Sequence, residues 1–248
     1  MRITADKIIR LAETTSTNDF LLENYKKYDE GTMVIADYQS SGKGLEDNQW
    51  ESKKGKNLTL SLLIKPGDLN AADQFNLNMA TSLAIRMLIS EYTRTPVQVK
   101  WPNDIYVDDK KIAGILIKNF LYGQQIHLSI AGMGININQE KFYSEAPNPV
   151  SLKQFTGKEY NLKEMMDKLI KHLEHYFRIL YNKDFNTLNQ EYYQHMYQLN
   201  EWHNYMIHDQ IVRASIQGID EFGRLTLTDM QGRLYVCDLK EIEFLLDS

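Results

Sequence analysis

KWPNDIYVDDKKIAGIL, residues 100–116, is the stretch on which the fold turns. VQVK just before its break (97–100) reads as a strand, and Pro102, which cannot donate to a ladder, interrupts it. Asp108 and Asp109 then mark a tight turn, after which KKIAGILI resumes as the second arm of a hairpin. Lys100, Asn103, Asp104 and Lys111 fall on the two arms of this unit. A lysine beside a glycine-containing strand can neutralise a phosphate or carboxylate, and an aspartate there can bind a metal or take a proton. A surface hairpin with ordinary salt bridges is the plainer reading, but it leaves the rigid WPND break unexplained.

Outward from the hairpin, apolar spacing sets the remaining elements. TMVIADYQ (32–39), NLTLSLLIKP (57–66) and IHLSIAGMGININ (126–138) read as buried strands. QFNLNMATSLAIRMLISEY (74–92) has a helical period, and LKEMMDKLIKHLEHYFRIL (162–180) carries an apolar stripe from Leu162 to Leu180. Its methionines belong to a core rather than to a ligand box. Ser16, followed three residues later by Asp19, starts a helix with a capping-box-like spacing. From about residue 205 short apolar runs alternate with turns at Asp220–Gly223 and Asp229–Gly232, a meander of β-strands. The expected class is α+β: a mixed β-sheet flanked by helices, then a small β module.

Composition excludes several functions. A net charge of −5 argues against a general attraction to nucleic acid or anionic membrane, and the Lys53, Lys54 and Lys56 cluster reads as a solvated turn. Cys237 is the only cysteine, so no intrachain disulfide forms and a reducing, cytoplasmic compartment is expected. No apolar run is long enough to span a bilayer, and the N-terminus lacks the uninterrupted core of a signal peptide. His172 and His175 lie three apart without accompanying metal ligands, and no GxSxG elbow occurs.

Three further segments carry polar groups beside strands. Ser16, Thr17 and Asn18 are either a helix cap or a set of donors and acceptors for a polar head group or an anion. Gln39 precedes the loop SSGKGLEDNQW (40–50), where Gly42 and Gly44 let backbone N–H groups approach an anion and Lys43 adds charge. A lone GxG of this kind is weak evidence. In GMGIN the glycines Gly132 and Gly134 suit a ligand slot, with Asn136 placed to contact a base.

Together these segments resemble the biotin protein ligase family. TSTND (15–19), Gln39 with GKG and Trp50, KWPND, KKIAGIL, AGMGININ (131–138) and the terminal β module occur in the family's order over most of the chain. The resemblance implies a biotin- and ATP-binding catalytic domain at 1–203, built on a mixed β-sheet, and an SH3-like barrel at 204–248. It implies two steps: biotin and ATP give biotinyl-AMP and pyrophosphate, then a lysine of a biotin carboxyl carrier protein attacks the mixed anhydride. Two anions must meet in the first step, so Lys111 is expected to neutralise them, with Mg²⁺ carried on the polyphosphate rather than held by the protein. Ser16, Thr17 and Gln39 match positions around the ureido ring, and Asn18, Gly42, Lys43, Trp50 and Lys111 complete the biotin site. Gly114, Gly132 and Gly134 leave room for the bicyclic ring and valeryl chain. Lys43, Asn103, Lys111 and Asn136 fall to the nucleotide. Lys111, Lys43 and Asp104 are the expected catalytic groups, Asp104 orienting or deprotonating the incoming lysine.

The glycine loop departs from the family's basic pattern. Lys43 stands where arginine is usual, Leu45 where arginine or glutamine is common, and Glu46 and Asp47 replace Arg-Gly. Lysine keeps the charge but loses the bidentate fork. At an effective dielectric of about 20, a unit charge about 8 Å from a phosphate is worth roughly 2 kcal/mol before screening. Faster loss of biotinyl-AMP is the expectation. The catalytic motif begins at Ser16, which leaves no room before it for the winged helix-turn-helix of regulatory family members, so a monofunctional type without DNA binding is expected. A lipoate-type ligase and a biotin-binding pseudoenzyme are the competing readings.

Overall fold

The computed structural model describes residues 1–45, 48–144 and 148–245. Seven strands form the main sheet: β1 (Ile8–Leu11), β2 (Met33–Ala36), β3 (Leu58–Ile64), β4 (Val97–Lys100), β5 (Asp104–Val107), β6 (Lys110–Tyr122) and β7 (Gln125–Ile135). Their order is β1-β2-β3-β7-β6-β5-β4, parallel between β1 and β2 and antiparallel elsewhere. β3 sits near the centre with every residue buried, which is why its sequence is nearly continuous in apolar and small side chains.

The two faces of the sheet are covered differently. Helix α1 (Thr17–Asn24) packs on one face against β2, β3 and β7, where Leu21 meets Val34, Leu63, Leu128 and Ile130. Helix α2 (Phe75–Ser90) lies on the other face against β4, β5 and β6, and helix α4 (Leu162–Tyr181) packs on α2. The stripe expected on α4 is the buried one: Met165, Met166, Leu169, Leu173, Tyr176, Phe177 and Leu180. A short α3 (Leu152–Thr156) precedes it, started by a capping box between Ser151 and Gln154, and α5 (Phe185–Gln194) follows.

The C-terminal meander is a five-stranded antiparallel sheet of β8 (Trp202–Ile207), β9 (Gln210–Ile219), β10 (Leu225–Asp229), β11 (Leu234–Cys237) and β12 (Ile242–Phe244), in the order β11-β10-β9-β8-β12. Its buried Tyr205, Ala214, Ile216, Leu225 and Leu227 join the same apolar core as α2 and α4. Trp101 Nε1 donates to Gly223 O at 2.9 Å, tying the WPND break to a turn of this second sheet. Among the described residues no helix is long and apolar enough to cross a membrane.

Candidate active site

One face of the sheet changes character along its strands, and that change makes the site. Beneath α1 the rows are apolar, Leu63 opposite Ile130. Two residues on, Ser61 stands opposite Gly132 and Leu116 beside it. After two more, Thr59, Gly134 and Gly114 share a row. Small side chains there leave a cavity of about 1050 Å³ between the sheet, the glycine loop and the β12 end of the second sheet.

The structure gathers most of the expected residues in this cavity. Ser16, Thr17, Asn18, Gln39, Lys43, Trp50, Asn103, Asp104, Lys111, Gly114, Gly132, Gly134 and Asn136 all line it. Ser16 does cap α1, its Oγ accepting from Asp19 N at 3.4 Å, and the same segment lines the cavity. Gly42 does not line the cavity. Its carbonyl accepts Trp50 N–H at 2.9 Å, and a Cβ there would lie 2.5 Å from Trp50 O, so it braces the loop instead. Glu46 and Asp47 lie outside the described residues.

At one end a buried polar cluster is fixed by mutual bonding. Ser61 Oγ lies 2.6 Å from both Thr17 Oγ1 and Asn18 Oδ1. Gln39 Oε1 accepts from Thr17 N and Oγ1 at 2.8 and 3.0 Å, and Asn18 Nδ2 donates to Leu116 O at 3.1 Å. Such a cluster holds its donors and acceptors in set directions. Ser61 was not singled out from the sequence, because a serine inside an apolar strand run gives no local signal.

The glycines serve side chains of this chain as well as any ligand. A Cβ on Gly132 would lie 2.6 Å from Asn18 Oδ1, and one on Gly134 only 2.2 Å from Trp50 Cε2. The indole therefore lies directly on Gly134, with its Cζ3 3.0 Å from a Cβ built on Gly114. The room expected for a bicyclic ring and its chain is, at Gly134 and Gly114, room used by Trp50.

Lys111 Nζ is 2.7 Å from Asp104 Oδ1, a close ion contact without hydrogen-bond alignment, and 5.9 Å from the Trp50 ring centre. A bulge between Ile105 and Tyr106 shifts the β5–β6 register, so Tyr106 opposes Lys111 while Asp104 opposes Gly114. The Trp101–Pro102 peptide is cis. Asn103 is occupied structurally: Nδ2 donates to Ile115 O at 2.5 Å, and Asn103 O accepts Ile115 N–H at 2.9 Å. Lys43 is occupied too, its Nζ 2.6 Å from Asp19 Oδ2, while Lys118 Nζ lies 3.5 Å from Asp19 Oδ1.

Lys100 has a less obvious setting. Its Nζ donates to Tyr106 Oη at 3.2 Å and sits 4.8 and 4.6 Å from the ring centres of Tyr106 and Phe244. Burial pushes this ammonium below the ordinary lysine range, opposed by Asp104 and reinforced by Lys111. Burial likewise pushes the Tyr106 phenol up. Glu243 and Phe244 bring the second sheet into the cavity wall, and Phe142, Ser144, Asn148 and Pro149 form another part of it.

Buried polar atoms without a partner are informative, because each costs free energy unless something meets it. Trp50 Nε1 and Asn136 Oδ1 are such atoms, and both belong to residues that line this cavity. Residues 9–136 match the Biotin/lipoate A/B protein ligase family. The chain belongs to that family. It is 34% identical over 111 residues to the bifunctional ligase/repressor BirA of Bacillus subtilis, covering 45% of this chain and 34% of that protein. It is 28% identical over 184 residues to biotin–protein ligase 2 of Arabidopsis thaliana, covering 72% of this chain and 55% of that protein. The chain thus spans between about a third and about half of the length of these curated relatives. Among solved structures, the biotin protein ligase from Aquifex aeolicus in complex with biotin and ATP superposes with a TM-score of 0.78 at 25% identity, covering 97% of this chain and 99% of that one. The likeness to that structure takes in the mixed sheet with its flanking helices and the antiparallel C-terminal sheet.

Proposed function

We propose that the chain is an ATP-dependent ligase that activates biotin as biotinyl-5′-AMP and transfers it to a lysine of a biotin carboxyl carrier protein. The observation that carries this reading is the cavity itself: a fixed polar cluster at Ser61, Thr17 and Gln39, and the Lys111–Asp104 ion contact beside glycine rows. The likeness to a ligase structure holding biotin and ATP supports it. The polar cluster suits a ureido ring, whose N–H and C=O groups need partners when buried. An apolar-ringed acid such as lipoate offers that cluster no N–H or C=O group to pair with.

In the first step Lys111 lies where a biotin carboxylate and an α-phosphate would meet, and its positive charge lowers their repulsion. Mg²⁺ enters with the polyphosphate of ATP. Asn136, with its free Oδ1, is a candidate acceptor for the amino group of adenine. Lys43 joins the phosphate by exchanging Asp19 for it. In the second step Asp104 accepts a proton from, or orients, the attacking amine, once Lys111 has turned to the phosphate. The division into a catalytic unit at 1–203 and a terminal module at 204–248 belongs to this reading, as does a cytoplasmic setting.

The test is direct: incubate the protein with ATP, labelled biotin and a biotin carboxyl carrier domain, and follow label on the carrier. Label on the carrier is expected. Transfer of lipoate but not biotin would replace this reading by the other activity in the family's description. Tight biotin binding without transfer would make the chain a binding protein.

A further inference from the structure

Glu51 follows Trp50 in the chain, and its carboxylate reaches a second loop at the rim of the cavity. Its Oε2 accepts the backbone N–H groups of Tyr143 and Ser144 at 2.8 and 2.7 Å. Its Oε1 accepts from Gln139 Nε2 at 2.9 Å. Gln139 is buried, and its own Oε1 accepts from Lys53 N at 2.8 Å and Asn57 Nδ2 at 2.7 Å. Asn148 and Val150 flank the central lysine: Lys111 N–H donates to Asn148 O, and Val150 N–H donates to Lys111 O, both at 2.9 Å.

We propose that Glu51 is a positioning residue that ties the glycine loop to the 139–144 segment and thereby holds Trp50 on Gly134. Two adjacent backbone N–H groups converge on one anionic oxygen, which makes these bonds charge-assisted and stronger than those a neutral acceptor would form. The loop is then fixed by this chain's own groups at both ends, Lys43 on Asp19 at one and Glu51 on Tyr143 and Ser144 at the other. A loop with a run of basic residues is drawn shut by ligand phosphate. Here the described ends of the loop are held by this chain's own groups before any phosphate arrives, and less ordering of those ends is left for binding to accomplish. The consequence for adenylate retention rests on the ligase reading; the tie between the two loops does not.

Hydrogen exchange on the full chain, read at the amides of Gly44, Trp50, Tyr143 and Ser144, tests the tie without any ligand. Glu51→Ala is expected to speed exchange in both segments together by roughly tenfold, and Glu51→Gln by less, since glutamine keeps an acceptor but not the charge. Glu140→Ala, which removes a carboxylate paired with Lys153, is the control and leaves the Gly44 and Trp50 amides unchanged. Release of biotinyl-AMP, chased with unlabelled biotin and ATP, is expected to be several-fold faster than wild type for Glu51→Ala and intermediate for Glu51→Gln. Faster exchange at Tyr143 and Ser144 with unchanged exchange at Gly44 and Trp50 overturns the tie. Faster exchange in both segments with unchanged release overturns the positioning role and leaves a structural bond. A wild type that forms no biotinyl-AMP removes the ligase reading, and exchange alone then decides the tie.

Discussion

At the scale of the residue, Lys111 carries the heaviest demand. Lys111→Met is expected to slow single-turnover adenylate formation by about 10²-fold or more, the loss typical of one preorganised electrostatic contact. Lys111→Arg would restore charge in a different shape beside Asp104 and is expected to rescue only a small part of that rate. Gly134→Ala probes the opposite wall. Its Cβ would enter the Trp50 ring, so the indole must leave its seat. The expected result is a changed tryptophan emission and weakened biotin binding, with the protein still folded. Both residues stand in strings that the sequence already singled out, KIAGIL and GMGIN. Ser61, Asn18's contact with Gly132, and Glu51's reach to Tyr143 were not, because each depends on which strand or loop lies alongside.

Single elements were read from spacing where one face is buried, and they follow that spacing closely. The α4 stripe was legible because a period of 3.6 leaves a continuous apolar face, whereas the polar remainder of that helix carries no such constraint. Leu169→Ala removes a fully buried side chain from the core face of α4 and is expected to cost about 2–5 kcal/mol in chemical denaturation, depending on how far the site collapses. The β5–β6 bulge was illegible. A register shift alters neither composition nor alternation in any obvious way, yet it sets Asp104 opposite Gly114, with its carboxylate against Lys111. The capping box at Ser151–Gln154 follows a proline-rich segment and opens a helix of only five residues, too short to show a helical period of its own.

At the scale of the whole molecule, the second sheet is bound into the first. The Trp101–Gly223 hydrogen bond and the Lys100–Phe244 contact join them, and the C-terminal strands share the main core. The sequence marked the terminal meander as a module but could not say that Glu243 and Phe244 would wall the cavity, since that depends on docking. Cys237 reports on the integrity of this module. Burial, with help from Glu241 and Asp238, pushes its thiol up to about 11, so at pH 8 it is both shielded and protonated. Reaction with a disulfide reagent is expected to be slow in the folded protein and to accelerate only as β11 opens. Fast labelling under native conditions would show the module opening independently of the rest. Phe244→Ala is expected to leave Lys100 better solvated and so to move its titration back up toward the ordinary lysine range, measured by NMR of the Lys100 side chain.

Trp50 resting on Gly134 also sets how affinity is to be read. If a ligand needs that seat, only the fraction of molecules with the indole swung away can accept it. The apparent dissociation constant is then the intrinsic one divided by that fraction. Weak binding measured on the wild-type chain would in that case report an internal competitor rather than a poor pocket. A smaller side chain at position 50 would separate the two, tightening the binding of any ligand that shares the seat and loosening that of any ligand that stacks on the indole.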